Sequence, residues 1–261
     1  MAPLILLMTG ACAHLENRDS TPVNNEHMVN AALWQQHSGE ARALFYQGYN
    51  IARRSLDRLL DEHDGGKPPA IITDLDETAL DNSPYQARAI LSGKGFPHGW
   101  TEWVMEASAD ALPGAVDFFK YADGLGVAIF YITNRRYDEG EKEPTLDNLR
   151  KLGFPQVRPE RLMLQSGDES DKESRRAQVA AEYDVLLLLG DQLGDFTSQY
   201  DGMTEQRNLV VDADRCLFGA RYIAFPNPMY GAFEGAIYRE HEAFDEHERC
   251  RSRRSFLEQR K

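Results

Sequence analysis

The stretch Ala70-Ile71-Ile72-Thr73-Asp74-Leu75-Asp76-Glu77-Thr78 decides how the rest of the chain is read. An apolar run of strand character stops at two carboxylates one residue apart, followed by a hydroxyl. Alternate residues of an extended chain point to the same side, so Asp74 and Asp76 can serve one site. Open α/β sheets gather their chemistry at the carboxyl ends of strands, where this pair falls. Two carboxylates in water-poor surroundings repel each other unless a cation or a proton lies between them. The pair therefore points to a metal, a covalent nucleophile or a general acid. The blander reading is an Asp-rich turn that caps a helix or forms a plain loop.

Working outward, apolar runs alternate with helical patterns. Val127 to Ile132 is β-branched and aromatic and ends in Thr133-Asn134-Arg135. Glu143 to Leu152 reads as a helix closed by Gly153, Arg161 to Leu164 as a short strand, and Lys172 to Tyr183 as an amphipathic helix. Val185 to Leu189 is unbroken apolar sequence ending in Gly190-Asp191, and Tyr222 to Phe225 is a strand stopped by Pro226. Continuous apolar strands alternating with helices predict an α/β fold with a parallel sheet covered on both faces. Upstream, Asn24 to His63 reads as helix, with Leu33, Trp34, Leu44, Phe45, Ile51, Leu56, Leu59 and Leu60 forming a core-facing stripe. Gly65-Gly66-Lys67-Pro68-Pro69 breaks that helix before the first strand. From Tyr238 onward the tail reads as a charged, solvated helix.

With 261 residues and 42% hydrophobic content, the chain can bury one substantial core. A formal net charge of −13 argues against nucleic-acid polymers and anionic membrane surfaces as partners. It leaves room for a small anionic substrate, because a metal and a few basic groups reverse the sign locally. The seven histidines and three cysteines show no metal-ligand spacing, which argues against zinc. Cys216 and Cys250 are either a pair that bridges in an oxidising compartment or two idle thiols.

At the start, Leu4-Ile5-Leu6-Leu7-Met8 is a short apolar run, and Thr9-Gly10-Ala11-Cys12 resembles a lipoprotein cleavage box. That reading makes residues 1–23 a leader with a loose N-terminus, and Cys12 the lipidated residue of a protein exported to the periplasm or outer membrane. Thr9 stands where a larger aliphatic residue is usual, and no Lys or Arg precedes the run. The alternative is a disordered N-terminus that happens to be apolar. The run is far too short to span a bilayer, so membrane contact is expected only through the anchor.

Three strands thus end in polar groups: Asp74 and Asp76, then Thr133-Asn134, then Asp191 with Asp195 four residues on. Lys172 lies between the last two. Together they suit phosphoryl transfer through a covalent aspartyl-phosphate. Asp74 is the expected nucleophile and Asp76 the proton donor and acceptor. The Thr133 hydroxyl, the Asn134 backbone N–H and the Lys172 ammonium are expected to hold the equatorial oxygens. Asp191, one Asp74 oxygen and the backbone carbonyl of Asp76 offer the oxygen ligands Mg²⁺ prefers. Asp195 is expected to steady Lys172 or a metal-bound water. Arg135 is either a second phosphate contact or a structural ion pair.

Asp74-Leu75-Asp76-Glu77-Thr78 resembles the DxDxT motif of haloacid dehalogenase (HAD) superfamily phosphatases. Thr133, Lys172 and Gly190-Asp191-Gln192-Leu193-Gly194-Asp195-Phe196 match their second, third and fourth motifs. More narrowly, the chain resembles a class C acid phosphatase of the bacterial outer-membrane lipoprotein 5′-nucleotidase family. Asp81-Asn82-Ser83-Pro84-Tyr85, Tyr131-Ile132-Thr133-Asn134-Arg135, Lys172-Glu173-Ser174-Arg175 and Pro226-Asn227-Pro228-Met229-Tyr230-Gly231 carry that likeness. It covers roughly Asn30 to Tyr238. The resemblance implies Mg²⁺-dependent hydrolysis of phosphomonoesters, often 5′-nucleotides and sometimes nicotinamide mononucleotide, outside the cytoplasm. It also implies one HAD-type Rossmann-like domain over 24–261, with a small α-helical cap subdomain from about 24–64 and 81–112. Trp100 and Tyr230 match family positions that flank the substrate base; otherwise they, with Trp103, are core or hinge packing. Relatives often carry an acidic residue where this chain has Gly194. The oligomeric state is left open, a homo-oligomer included.

Among alternatives, a haloalkanoate dehalogenase needs no acid at Asp76. A large-capped sugar phosphatase or mutase needs more chain than Asp81 to Leu112. A receiver domain places its acidic pair before the phosphorylated Asp. From another class, the chain could be a surface ligand-binding lipoprotein, for haem as an example, with a vestigial phosphatase core.

Overall fold

The computed structural model describes residues 25–238 and 245–257. The expected N-terminal leader and Cys12 lie outside the described residues.

The chain opens with α1 (Val29–His37) and α2 (Gly39–Asp61) and enters β1 (Pro69–Thr73). A small excursion follows: β2 (Leu80–Asp81), α3 (Ser83–Ser92), α4 (Trp100–Glu106) and β3 (Asp110–Ala111), with β2 and β3 paired antiparallel. Then come α5 (Ala115–Gly124), β4 (Ala128–Arg136), α6 (Lys142–Leu152), β5 (Leu162–Gln165), α7 (Glu173–Glu182) and β6 (Asp184–Gly190). The chain continues through α8 (Thr204–Ala213), β7 (Tyr222–Ala224), α9 (Ala232–Ile237) and α10 (Glu246–Ser255).

The main sheet runs β5-β4-β1-β6-β7, and every pair in it is parallel. β1 is central and buried on both faces. Ile71 joins Ile129, Leu187 and the helices α2 and α5 in the larger core, while Ala70 and Ile72 join Phe130, Ile132 and Val179 of α7 on the other side. This is the period-two alternation of a strand with helices on both faces. From β1 the chain builds outward through β4 and β5, then crosses back to β6 on the other side of β1. The β1/β6 boundary is therefore the topological switch point, where open α/β sheets leave a crevice at their carboxyl ends.

The expected single helix over Asn24–His63 is two helices. Ser38 adopts an extended conformation (φ −86°, ψ 141°), and its hydroxyl accepts the Ala41 N–H at 3.0 Å. The break is an N-cap, which Ser supplies well. The apolar stripe is also divided: Phe45, Leu56 and Leu59 are core, whereas Leu33 and Leu44 are exposed. Gly48 lets α2 approach the end of β7, since a Cβ there would lie 2.5 Å from the Phe225 ring. Strand β4 outlasts its apolar run and carries Thr133, Asn134 and Arg135 within it. Cys216 and Cys250 are both free thiols. Among the described residues no helix is long and apolar enough to cross a membrane.

Candidate active site

The carboxyl ends of β1 and β6 carry Asp74 and Asp191 side by side. The Asp74 amide donates to the Leu189 carbonyl at 2.9 Å, extending the β1/β6 ladder by one residue and fixing where the carboxylate begins. Asp74, Asp191 and Asp195 each bring a carboxylate oxygen within 4.8 Å of the others. Lys172, immediately before α7, donates to Asp74 Oδ1, and to Asp195 Oδ1 at 2.7 Å. Asp195 curls back because Gly190 has no side chain: a Cβ at Gly190 would sit 2.3 Å from the Asp195 Cβ.

Electrostatics follow from this crowding. Burial pushes the Asp74 carboxyl well above the carboxylate range, and Asp195, Asp191 and Asp76 add to that, against the pull of Lys172. Burial and the Asp195 charge push Asp191 up to about 7, opposed by hydrogen bonds from Asn227 and Gln192. Burial alone would ease Lys172 towards its neutral form, but Asp195 and Asp74 outweigh it and hold the ammonium. A buried group of like charges is stabilised by a cation, and three converging carboxylates are hard oxygen donors. The cluster therefore fits a hard divalent cation.

Asp76 has different neighbours. Arg135, 1% exposed, donates to Asp76 Oδ1 from Nη2 at 2.8 Å and from Nε at 3.0 Å. Thr133 Oγ1 donates to Asp76 Oδ2 at 2.9 Å, and Asn82 Nδ2 to Oδ1 at 2.9 Å. Burial would raise this carboxyl, yet the Arg135 charge and the hydrogen bonds of Arg135, Thr133 and Asn82 hold it below the usual range. Of the two readings of Arg135, the ion pair is the one found.

The loop after β1 is tightly wound. Glu77 has a left-handed backbone (φ 59°), and its amide donates to the Leu80 carbonyl at 2.9 Å. Its buried carboxylate accepts the Asn82 amide at 3.0 Å and the Tyr230 hydroxyl. Tyr49 OH donates to the Thr78 carbonyl at 2.7 Å, pinning the same loop from α2.

Of the expected residues, the structure brings Asp74, Lys172, Asp191 and Asp195 into one cluster and bonds Asp76 to Thr133 in a second group. Asn134 lies on the same strand but is exposed, its side chain bonded to the Ser170 carbonyl and to Arg175. Trp100 is half-buried, edge-on to Tyr85 at 5.1 Å, with the Arg135 guanidinium 5.8 Å from its ring centre. Tyr230 packs beside the Met28, Ala32 and Met229 cluster. Trp103 is core, and its Nε1 donates to Asn82 Oδ1 at 2.8 Å. Asn227, quoted in the sequence only within a matching segment, donates to Asp191 Oδ2 at 2.8 Å. Arg175 donates to the Thr133 carbonyl at 2.7 Å, a role its sequence position does not signal.

Compared with known proteins, residues 11–233 match the family model described as HAD superfamily, subfamily IIIB (acid phosphatase). The chain belongs to this family. Its sheet and site thus sit within the acid phosphatases, which are phosphomonoesterases. Two solved structures of the class C acid phosphatase from Bacillus anthracis are similar, at 42% identity. The one with tungstate bound superposes with a TM-score of 0.87 over 92% of this chain and 100% of that one. The other gives 0.86 over 91% and 99%. Acid phosphatase 1 from Solanum lycopersicum is 26% identical over 167 residues, 61% of this chain; the match spans 57% of the tomato protein's length.

Proposed function

We propose that this chain is a Mg²⁺-dependent phosphomonoesterase that works through an aspartyl-phosphate on Asp74, with 5′-nucleotides or nicotinamide mononucleotide as substrates. The observation that carries this reading is the convergence of Asp74, Asp191 and Asp195 around Lys172 at the β1/β6 switch point. Tungstate is a tetrahedral oxyanion, and its binding by the Bacillus anthracis relative supports a phosphate-shaped site.

In the first step an Asp74 oxygen attacks phosphorus as the bond to the leaving oxygen breaks, and that oxygen takes a proton from Asp76. In the second step water attacks phosphorus, gives a proton to Asp76 and releases Asp74 and inorganic phosphate. Asp76 is ionised at rest, so its acid form is reached in the complex. Negative charge on a bound phosphoester raises a neighbouring carboxyl, and a monoanionic ester, abundant below about pH 6, brings a proton with it. Lys172 offers donors to the equatorial oxygens, Thr133 does so when its hydroxyl turns from Asp76, and Asp195 keeps Lys172 in place.

Asp74, Asp191 and the Asp76 carbonyl would hold Mg²⁺, with Asp195 close by. When bound, the ion offsets the repulsion between carboxylate and phosphate. Trp100 and Tyr230 present rings that suit a planar leaving group. Export and lipidation at Cys12 belong to the same proposal, on the strength of the Thr9–Cys12 box; labelled palmitate entering the wild type but not Cys12→Ser would support it.

The catalytic reading is tested by phosphate release from AMP, nicotinamide mononucleotide and p-nitrophenyl phosphate, with Mg²⁺ and with EDTA. Release that needs the metal and vanishes in Asp74→Asn supports it. No turnover of any substrate would favour a ligand-binding protein with a vestigial core.

A further inference from the structure

Beside the carboxylate cluster, and sharing Asp191 with it, a recess of about 180 Å³ lies between the turn after β6 and the start of α8, with Gln192, Thr204, Arg207 and Asn227 also among its walls. Two polar groups there are unspent. The Arg207 side chain is only 7% exposed, yet among the described residues its guanidinium has no hydrogen-bond or ion-pair partner. Burial weakens its hold on its proton, and Asp201 offsets this through space without pairing with it. The Thr204 hydroxyl is likewise buried without a partner.

These two groups lie three residues apart on one helix, so they share a face. Thr204 opens α8, and no side chain caps that first turn. The helix N-terminus, which carries Glu205 in its first turn, opens at the edge of the same recess. The acidic wall is screened: Asp191 Oδ2 accepts from Gln192 Nε2 at 2.7 Å and Asn227 Nδ2 at 2.8 Å. A guanidinium that reaches the recess without a protein partner is matched by a bidentate oxyanion.

We propose that this recess is a second oxyanion site, where Arg207 and the Thr204 hydroxyl hold a phosphate distinct from the one processed at Asp74. The anion is either free inorganic phosphate or a second phosphate group of the substrate. Only the latter source rests on the catalytic reading above.

The test is calorimetric titration of inorganic phosphate into the full chain, Arg207→Gln, Arg207→Lys and Lys172→Met. The expected result is two phosphates per wild-type chain. Arg207→Gln weakens one of them by about tenfold or more, Arg207→Lys weakens the same one less, and Lys172→Met removes the other. Without phosphate, Arg207→Gln melts no lower than wild type, because the guanidinium holds nothing in the protein. One phosphate per wild-type chain, indifferent to both Arg207 variants, overturns the proposal. Failure of Lys172→Met to remove a phosphate counts against the catalytic reading instead. Given a second phosphate, the two sources separate by kinetics. A higher KM in Arg207→Gln for a nucleoside 3′,5′-bisphosphate, but not for the 5′-monophosphate, assigns the site to substrate; equal KM values assign it to free phosphate.

Discussion

Arg135 and Asp76, 59 residues apart in sequence, form a buried two-point ion pair in which Nη2 and Nε both reach Asp76 Oδ1. The pair sets the resting charge of the residue proposed to move protons, and it leaves Asp74 alone to answer to Lys172. Arg135 also donates from Nη1 to Thr145 at 3.0 Å, which ties the pair to α6.

Arg135→Met removes one partner of that pair and strands Asp76. Breaking such a buried pair costs about 3 kcal/mol or more, so the denaturant midpoint should fall and kcat with it. Urea unfolding beside steady-state kinetics checks both. Unchanged stability would mean that the pair is solvated in solution.

Lys172→Met removes the cation between Asp74 and Asp195 and, in the proposed mechanism, one donor to the transferring phosphate. Loss of one such donor typically lowers kcat about 10²–10³-fold. The deficit should appear in kcat/KM with p-nitrophenyl phosphate, a substrate with no nucleobase to compensate.

Gly190→Ala places a methyl group where Asp195 now sits, 2.3 Å from its Cβ. Asp195 must swing out and release Lys172. We expect a destabilisation of about 1–3 kcal/mol and a fall in activity close to that of Asp195→Ala. A fully active Gly190→Ala protein would show that Asp195 need not be held there.

Much of this was legible from local pattern. The β1 and β6 runs, the helix closed at Gly153 and the polar residues at strand ends announce themselves through periodicity and punctuation. What escaped depends on distant partners. The sequence alone leaves Arg135 undecided, because Asp76 comes to it only through the β1/β4 register, Thr73 beside Tyr131. Asn82 lies in a matching segment, but its two-sided role needs Trp103 from α4. Arg207 looks like any charged residue in a polar helix until burial shows it without a partner. Ser38 is a cap by residue type, but the apolar stripe that runs on either side of it conceals the break.

Trp103→Phe keeps the ring in the core but takes the donor from Asn82 Oδ1, leaving a buried acceptor unpaired. Such a loss costs about 1–3 kcal/mol. Because Asn82 also donates to Asp76, a smaller fall in kcat should accompany the lower melting temperature, with little change in KM. A stability loss with kcat intact would confine Trp103 to packing.

The claim that Asp74 is the nucleophile is tested most directly by acid-quenching the protein during turnover with Mg²⁺ and mapping its peptides by mass spectrometry. A phosphoryl group on the peptide containing Asp74, absent from Asp74→Asn and gone when substrate is exhausted, is the predicted result. Steady phosphate release with that peptide unmodified, or with Asp74→Asn still active, would contradict it.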